Sequence, residues 1–162
     1  MDTNKYLVSC DEIVKGVFLG NEASSQNIEF LRKHNIGLIV NCTKHIPFAD
    51  TNAIKIRIPI NDPGKVESIH QEDNTIMRYY APHIIEFIDY YVNNHQNVLI
   101  HCHAGMQRSA AICALYLSKY KYNDTTDPMN RSVQQIISRR PIAFNRGTNI
   151  NFLPVLLFFS KQ

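Results

Sequence analysis

Residues 98–110 carry the stretch that decides the fold, VLIHCHAGMQRSA. An apolar run ends at His101-Cys102, and Arg108-Ser109 opens an alanine-rich apolar segment. We interpret this order as a buried strand, a tight loop and a helix. The N–H groups of the loop and the free N–H groups of the first helical turn would then point to one place, where together they form a cradle for an anion.

Cys102 and Arg108 give this cradle its chemistry. Cys102 would lie at its floor, and the planar guanidinium of Arg108 can bind two oxygens of a phosphate. We expect the thiol to ionise below neutral pH, because the helix N-terminus and the cation both stabilise the thiolate. A thiolate beneath a bound phosphate is a nucleophile directed at phosphorus. The alternative is a buried cysteine in an ordinary strand-to-helix turn.

Composition predicts one domain without an obvious nucleic-acid or membrane partner. The chain has 162 residues and a net charge of +3, with its charged residues interspersed. No apolar run approaches the roughly 18 residues of a membrane span, and the first residues lack a signal-peptide pattern. The abundance of Asn, Ile, Lys and Tyr is typical of an AT-rich genome, such as that of a large DNA virus or a protist.

The cysteines indicate a reducing compartment. Cys10, Cys42, Cys102 and Cys113 are scattered and lack the spacing of metal ligands, which favours a cytoplasmic location and predicts no metal site. We expect Cys113 to belong to the core. Cys42 follows a strand that should neighbour the strand before Cys102, so it could trap an oxidised Cys102 as a disulfide. A buried cysteine without a redox role is the alternative for Cys42.

Alternating strand and helix patterns predict an α/β fold around a central, largely parallel sheet of about five strands flanked by helices. Residues 1–10 are predicted to form an N-terminal arm and residues 11–162 a single domain. The predicted strands lie on both sides of Gly16 and at 37–42, 54–60 and 97–101. The predicted helices span 24–34 (capped by Ser24 or Ser25), 76–94, 109–120, 128–139 and 150–160. Residues 61–74 form a predicted loop, and Pro82 should kink its helix or shift the start.

The loop of residues 98–110 resembles the signature of the cysteine-dependent protein tyrosine phosphatases. Ala104-Gly105 makes it most similar to their dual-specificity branch. Residues 16–20 and 39–43 resemble further segments of that family. The segment Arg140-x-Ile142-x-x-Asn145 resembles the family's closing motif, with a phenylalanine in place of proline. The resemblance implies a small, atypical single-domain phosphatase with the protein tyrosine phosphatase-like fold.

The sequence of the loop and the family resemblance together suggest roles for several residues. Gly105 should provide a backbone conformation closed to other residues. The resemblance implies that His101 supports the thiolate by hydrogen bonding, and that Ser109, besides capping the helix, helps the thiolate leave the phosphoenzyme. Asn145 could help to shape the site, or be a plain turn residue. The groups expected to bind phosphate are the side chain of Arg108 and the backbone N–H groups of His103, Ala104, Gly105, Met106 and Gln107.

Cleavage of a phosphate ester also needs a proton for the leaving oxygen. Asp62 is the candidate because it follows a predicted strand at its carboxyl end, where sites in such sheets gather. The family carries its general acid in a matching context, so the resemblance implies Asp62 too. Extra residues between Asp62 and the next helix leave Asp73 and Glu72 as rivals.

The resemblance implies a phosphatase that acts on phosphotyrosine and on phosphoserine or phosphothreonine in phosphoprotein substrates. Its intermediate would be a cysteinyl phosphate, and it would need no metal or cofactor. The alternatives are a non-catalytic phosphoprotein-binding relative, a thiol oxidoreductase, and a phosphatase of phosphoinositides or of RNA 5′-phosphates. Lipid phosphatases of the superfamily carry lysines where this loop has His103, Met106 and Gln107. The sequence does not decide between a monomer and a homodimer.

Overall fold

The computed structural model describes residues 7–61 and 67–161, with side chains from residue 70 onward in the second range. Five strands and seven helices alternate along these ranges in the order expected of an α/β fold. The strands are β1 Cys10–Val14, β2 Val17–Gly20, β3 Ile36–Asn41, β4 Ile54–Arg57 and β5 Asn97–His101. The helices are α1 Glu22–Gln26, α2 Ile28–Lys33, α3 Glu67–Asn93, α4 Arg108–Tyr120, α5 Pro128–Arg139, α6 Phe144–Gly147 and α7 Leu153–Ser160.

The strands form one mixed sheet in the order β1-β2-β5-β3-β4. Only the β1–β2 hairpin is antiparallel among these strands, and the other three pairings are parallel. The expected sheet of largely parallel strands is therefore confirmed. The central strand β5 is buried on both faces, as its continuous apolar sequence predicts.

Parallel pairing brings the carboxyl ends of four strands to one edge of the sheet. His101 at the end of β5 lies opposite Gly20 at the end of β2 and Asn41 at the end of β3. Asn41 in turn pairs with Arg57 at the end of β4. The loop that begins at Cys102 leaves from the middle of this edge, so residues from all four strand ends can surround it.

Helices cover both faces of the sheet. Alternate side chains of β5 point to opposite faces, so Val98 and Ile100 join the larger core while Leu99 joins the smaller one. The larger core contains the apolar faces of α3, α4, α5 and α7. In α4, all residues from Arg108 to Leu117 are buried, which fixes the start of the helix firmly beneath the loop.

Two helix predictions were wrong at their beginnings. The predicted helix of residues 24–34 is two short helices, capped by the side chains of Asn21 and Asn27 rather than by a serine. The predicted loop of residues 61–74 is largely helix, because α3 begins at Glu67 and continues through Pro82. Burial of Met77 and its apolar neighbours outweighs the local cost of the proline.

The first described residues are tied to the domain near the loop. Asn21 donates through Nδ2 to the carbonyl of Leu7 at 2.8 Å and accepts from the N–H of Ser9 at 3.1 Å. Of the predicted arm, residues 1–6 lie outside the described residues, and β1 already begins at Cys10.

The last helix begins at Leu153 rather than at 150. Within the described ranges, no helix has the length and apolar character needed to cross a bilayer.

Candidate active site

The side chain of Arg140 donates hydrogen bonds to the middle of the loop that follows β5. Its guanidinium donates through Nε to the carbonyl of Gly105 at 2.8 Å and through Nη2 to the carbonyl of Ala104 at 3.0 Å. Its Nη1 forms an ion pair with Asp11 at 2.8 Å. Only 1% of the Arg140 side chain is exposed, so these bonds form largely out of water, where charge-assisted bonds are strong.

Two backbone groups hold the neighbouring carbonyls of the loop in the same way. The N–H of Glu22 donates to the carbonyl of His103 at 2.9 Å. The N–H of Phe144 donates to the carbonyl of Met106, also at 2.9 Å. The carbonyls of four consecutive residues, from His103 to Met106, are therefore all turned outward.

This arrangement turns the amide groups of the loop inward. In a trans peptide the C=O of one residue and the N–H of the next point in opposite directions. The N–H groups of residues 104–107 therefore face the interior of the loop, and the one from Gly105 lies 3.3 Å from the sulfur of Cys102. The expected cradle of N–H groups is thus present in the backbone, and it can receive an anion.

Gly105 is required at the tightest point of the loop. Its φ of +69° lies in the left-handed region that side-chain-bearing residues rarely adopt. A Cβ atom at this position would lie 2.5 Å from the carbonyl oxygen of Gly20 and 2.9 Å from Nη2 of Arg140. Both the backbone conformation and the space exclude any larger residue, as the sequence predicts.

Cys102 lies at the floor of the cradle in an environment that favours its thiolate. Its sulfur is 3.1 Å from Oγ of Ser109 and 3.3 Å from the N–H of Gly105. Burial raises the pKa of Cys102, but the positive charge of Arg108 and the hydrogen bonds from Ser109 and Gly105 outweigh it, so the pKa lies below its ordinary value. A low thiol pKa at the base of an anion site is the property of a reactive nucleophile.

The other three cysteines have raised pKa values, in contrast to Cys102. Burial raises the pKa of Cys113 in α4 to about 12, and it raises that of Cys10 to about 12 as well. Cys42 directly follows β3, and its N–H donates to the carbonyl of His101 at 2.9 Å. Burial and the neighbouring Cys102 raise the pKa of Cys42 well above its ordinary value. Cys42 thus lies beside the end of β5, and its redox role stays a prediction.

The side chain of Arg108 connects the loop to Ile60, in the segment that follows β4. Arg108 is the first residue of α4, is 6% exposed, and donates through Nη1 to the carbonyl of Ile60 at 3.3 Å. A cleft of about 210 Å³ opens in front of its side chain. Residues that line this cleft include Thr43, Lys44, His45, Asn61, His103 and Arg108. The cleft is small and its rim is basic. It therefore suits a phosphate group whose attached molecule stays outside the cleft.

His101 is buried and neutral. Burial lowers its pKa to about 4, and the positive charges of Arg57 and Arg108 act in the same direction. Its Nδ1 lies 3.3 Å from the carbonyl oxygen of Cys102, whereas its Nε2 has no hydrogen-bond partner within the described residues. A neutral imidazole that contacts the backbone of Cys102 can orient the loop, and the support of the thiolate by His101 stays a prediction.

Ser109 does not cap α4, contrary to prediction. The capping position is Gln107, and Ser109 is the second residue of the helix. Its hydroxyl is therefore free to approach Cys102 at 3.1 Å. The side chain of Gln107 instead binds the closing segment, donating to the carbonyl of Asn149 at 2.9 Å and accepting from the N–H of Asn151 at 3.0 Å.

Asn145 is exposed and lies in a tight turn with a φ of +49°. Its carbonyl accepts hydrogen bonds from the N–H of Thr148 at 3.2 Å and from the hydroxyl of the same residue at 2.6 Å. The segment reaches the loop through the backbone of Phe144 and through Gln107. The shaping role of Asn145 remains a prediction.

The three candidates for the general acid have different positions. Asp62 lies outside the described residues. Glu72 is exposed on α3. Asp73 is fully buried, and its Oδ1 accepts from the backbone N–H of Asn61 at 3.0 Å and from Nδ2 of the same residue at 3.2 Å. The choice of Asp62 as the general acid therefore stays a prediction.

The role of Arg140 could not be found from the residues alone. The sequence singles it out only as part of a segment that resembles the family's closing motif. It lies 35 residues beyond Gly105 in the chain. No local pattern connects the two, and the contact depends on how α5 packs beside β1.

Comparisons with known sequences agree with this geometry. The sequence model of the dual specificity phosphatase catalytic domain matches residues 17–161. Human dual specificity protein phosphatase 9 is 31% identical over 157 residues, which cover 93% of this chain and 36% of that protein. Mpk3 of Drosophila melanogaster is 30% identical over 155 residues, which cover 93% of this chain and 34% of that protein. The chain thus spans about a third of the length of these curated relatives.

Solved structures share the fold. Human DUSP28 superposes with a TM-score of 0.76 at 20% identity, covering 94% of this chain and 93% of that one. The human tyrosine phosphatase-like serine/threonine/tyrosine-interacting protein superposes with a TM-score of 0.70 at 23% identity, covering 94% and 95%. At 20% and 23% identity, these two structures show a shared fold and no more. The family model, by contrast, is a sequence match, and it covers residues 17–161. The chain belongs to the dual specificity phosphatase catalytic domain family.

Proposed function

We propose that this chain is a cysteine-dependent protein phosphatase that hydrolyses phosphotyrosine and phosphoserine or phosphothreonine esters. The observation that carries the proposal is the juxtaposition of Cys102 and the cradle. A thiol with a lowered pKa lies at the floor of a loop whose N–H groups face inward, beside the guanidinium of Arg108. Family membership supports the same reaction class.

In the first step, the Cys102 thiolate attacks phosphorus in line with the ester oxygen. A sulfur–phosphorus bond forms, and the bond between phosphorus and the leaving oxygen breaks. The inward N–H groups and Arg108 bind the equatorial oxygens, where charge accumulates in the transition state. Asp62 gives its proton to the leaving phenolate or alkoxide.

In the second step, water replaces sulfur on phosphorus. The Asp62 carboxylate takes a proton from the attacking water, inorganic phosphate forms, and the Cys102 thiolate leaves. The hydroxyl of Ser109, 3.1 Å from the sulfur, donates to the thiolate and makes it a better leaving group. His101 stays neutral and positions the loop through the Cys102 carbonyl. No step calls for a metal or a cofactor.

The cleft favours phosphorylated side chains of proteins as substrates. Its volume of about 210 Å³ accommodates a phosphate and the group attached to it. The loop carries His103, Met106 and Gln107 where the resemblance would place lysines in a lipid phosphatase. We therefore infer phosphoprotein substrates in a reducing, intracellular compartment.

Hydrolysis of 4-nitrophenyl phosphate with EDTA and reductant present tests the proposal. We expect turnover by the native chain and none by Cys102→Ser, which keeps the loop but lacks a thiolate. Cys113→Ser is the matched control, since Cys113 is a core residue with a raised pKa. If the native chain is inactive while Cys102→Ser binds a phosphopeptide, the chain is a non-catalytic phosphoprotein-binding relative and the proposal is wrong.

A further inference from the structure

The bend that follows β3 forms part of the lining of the cleft in front of Arg108. We call residues 43–46 the cleft bend, and all four of them line this cleft. Thr43 is buried, whereas the side chains of Lys44 and His45 at the tip of the bend are exposed. The proposed reaction assigns a role to neither exposed side chain.

Asn41, the last residue of β3, fixes the cleft bend. Its Nδ2 donates to the carbonyl of Ile46 at 2.8 Å. Its Oδ1 accepts from the N–H of Thr43 at 3.0 Å and from the hydroxyl of Thr43 at 2.6 Å. The same hydroxyl accepts from the N–H of Ile46 at 3.2 Å, which closes the bend on itself. Asn41 is fully buried, so these bonds form in a medium where they are strong.

Arg57, the last residue of β4, holds the same bend. Its Nη1 donates to the carbonyl of Thr43 at 2.9 Å and its Nη2 to the carbonyl of Ile46 at 2.8 Å. Its guanidinium also lies 4.9 Å from the ring centroid of Phe48. Within the described residues no carboxylate pairs with Arg57, so its positive charge adds to the field at this edge of the sheet. That field reaches His101, whose pKa it helps to lower.

Lys44 is the cation that the cleft bend presents. Its side chain has no ion-pair partner among the residues that the structure describes. His103, another residue of the lining, already pairs through Nδ1 with the carboxylate of Glu22 at 3.3 Å. A cleft of about 210 Å³ is compact, so Lys44 lies on the wall of the same space as Arg108. A rigid bend that holds an unpaired ammonium group there is preorganised for a second negative charge.

We propose that Lys44 selects phosphoprotein substrates that carry an acidic side chain close to the phosphorylated residue. This inference rests on the proposed function and names the class of phosphopeptide that the same site prefers. The ammonium group pairs with the carboxylate of a neighbouring glutamate or aspartate while the phosphate occupies the cradle. His45, the next residue of the bend, adds a ring N–H donor for the same carboxylate. Lys44 thus determines specificity and has no part in the bond-breaking steps.

Two phosphotyrosine peptides test this inference. They are alike except at the two positions before and the two positions after the phosphotyrosine, where one peptide has glutamate and the other glutamine. Glutamine has nearly the shape of glutamate but no charge. The measured quantity is the ratio of kcat/KM for the acidic peptide to kcat/KM for the neutral one. Damage to the loop lowers both values alike and leaves this ratio unchanged.

We expect a ratio of about five in the native chain at low ionic strength, as for a partly exposed ion pair. Lys44→Met keeps most of the side-chain stem and should bring the ratio below about two. Lys44→Glu should bring it below one, because its carboxylate repels that of the peptide. Raising the ionic strength to about 0.5 M should lower the native ratio, since exposed charges are screened.

Lys33→Met is the matched control. Lys33 is an exposed lysine in the last turn of α2, and it does not belong to the described lining of the cleft. This variant loses the same charge from the domain as Lys44→Met and should keep the native ratio. Thermal unfolding of each variant shows whether it is folded at the assay temperature, and Lys44→Glu serves if Lys44→Met is not.

A native ratio near one would overturn the inference, while hydrolysis of both peptides would leave the proposed function standing. A native preference that survives in folded Lys44→Met, or that falls as far in Lys33→Met, would also overturn it and assign the preference to the overall charge of the domain. Failure of the proposed function has a different signature, because the native chain would then hydrolyse neither peptide, and the inference would fall with it.

Discussion

Nε of Arg140 lies 2.8 Å from the carbonyl oxygen of Gly105, so a side chain at the end of α5 sets the direction of a peptide group in the loop that follows β5. The same guanidinium bonds the carbonyl of Ala104 at 3.0 Å. Both contacts pull carbonyls away from the anion site and leave N–H groups facing it. The loop therefore needs Arg140 for its shape, although Arg140 does not touch the site.

Replacement of Arg140 tests this relationship. We expect Arg140→Ala to destabilise the fold by about 3 kcal/mol, because the buried carbonyl of Gly105, the partly buried carbonyl of Ala104 and Asp11 all lose their partner. We also expect kcat/KM for 4-nitrophenyl phosphate to fall by about 100-fold, as for a lost set of oxyanion donors. Urea denaturation and steady-state kinetics measure the two effects.

Asp11→Asn is the control for the arginine. It weakens only the ion pair between the buried guanidinium and Asp11, whose side chain is 40% exposed, and leaves the bonds to the loop. Its effect should stay within about 1 kcal/mol, since partly exposed ion pairs contribute little. If Arg140→Ala kept native kinetics while folded, the loop would hold its shape without the guanidinium and our explanation of the cradle would be wrong.

Gly105 and Gly16 form a matched pair for a test of the loop backbone. Both have a positive φ, +69° and +87°, but only at Gly105 would a Cβ lie closer than 3 Å to other atoms. We expect Gly16→Ala to cost about 1–2 kcal/mol of stability and to leave kcat/KM unchanged. Gly105→Ala should lower kcat/KM by about 100-fold or more, because relief of the clash moves the N–H groups. Similar kinetics for the two variants would contradict the structure of the loop.

Ser109 should contribute to the lowered pKa of Cys102. The rate of iodoacetamide alkylation as a function of pH reports the pKa of the thiol. We expect the native midpoint to lie below that of a free cysteine, and Ser109→Ala to raise it through loss of a hydrogen bond to the thiolate. Ser132→Ala, a buried serine of α5, is the control and should leave the midpoint unchanged. An unchanged midpoint in Ser109→Ala would place the stabilisation entirely on Arg108 and the backbone.

His101 should make the fold sensitive to acid. Its pKa is about 4 in the folded chain and 6.5 in an unfolded one. Between these values the unfolded chain binds the extra proton, so the free energy of unfolding falls as the pH drops from 6.5 towards 4. The loss should approach about 3 kcal/mol at the lower end.

Urea denaturation at several pH values measures this slope in the native chain and in His101→Asn. The difference in slope isolates His101 from the carboxyl groups that titrate in the same range. Equal slopes would show that His101 is already protonated in the fold or that it is not buried as described.

The sequence predicts the centre of this site well because its signals are local. The apolar run of β5, the glycine of the loop and the position of Arg108 lie within a short segment, and each constrains its neighbours directly. The capping of α5 by Asp127 with a proline at the first helical position is a local signal of the same kind, and the structure confirms it.

What the sequence does not predict depends on contacts between distant segments. The sequence does not predict the start of α3 at Glu67, because the first residues of the helix are mostly polar and show no helical period of apolar residues. The buried side of this part of the helix, with Asp73 and Met77, is visible only in the fold. The link from Arg140 to Gly105 depends on the docking of α5. The place of Ser109 beside Cys102 depends on α4 beginning one residue earlier than predicted.

The most direct test of the central claim is to look for phosphate on Cys102 during turnover. With 2,4-dinitrophenyl phosphate the first step needs no acid, so the intermediate should accumulate before water attacks. We predict that acid quenching followed by mass spectrometry will find one phosphate on Cys102 in the native chain and none in Cys102→Ser. Native turnover with phosphate on another residue, or turnover that survives Cys102→Ser, would contradict the mechanism.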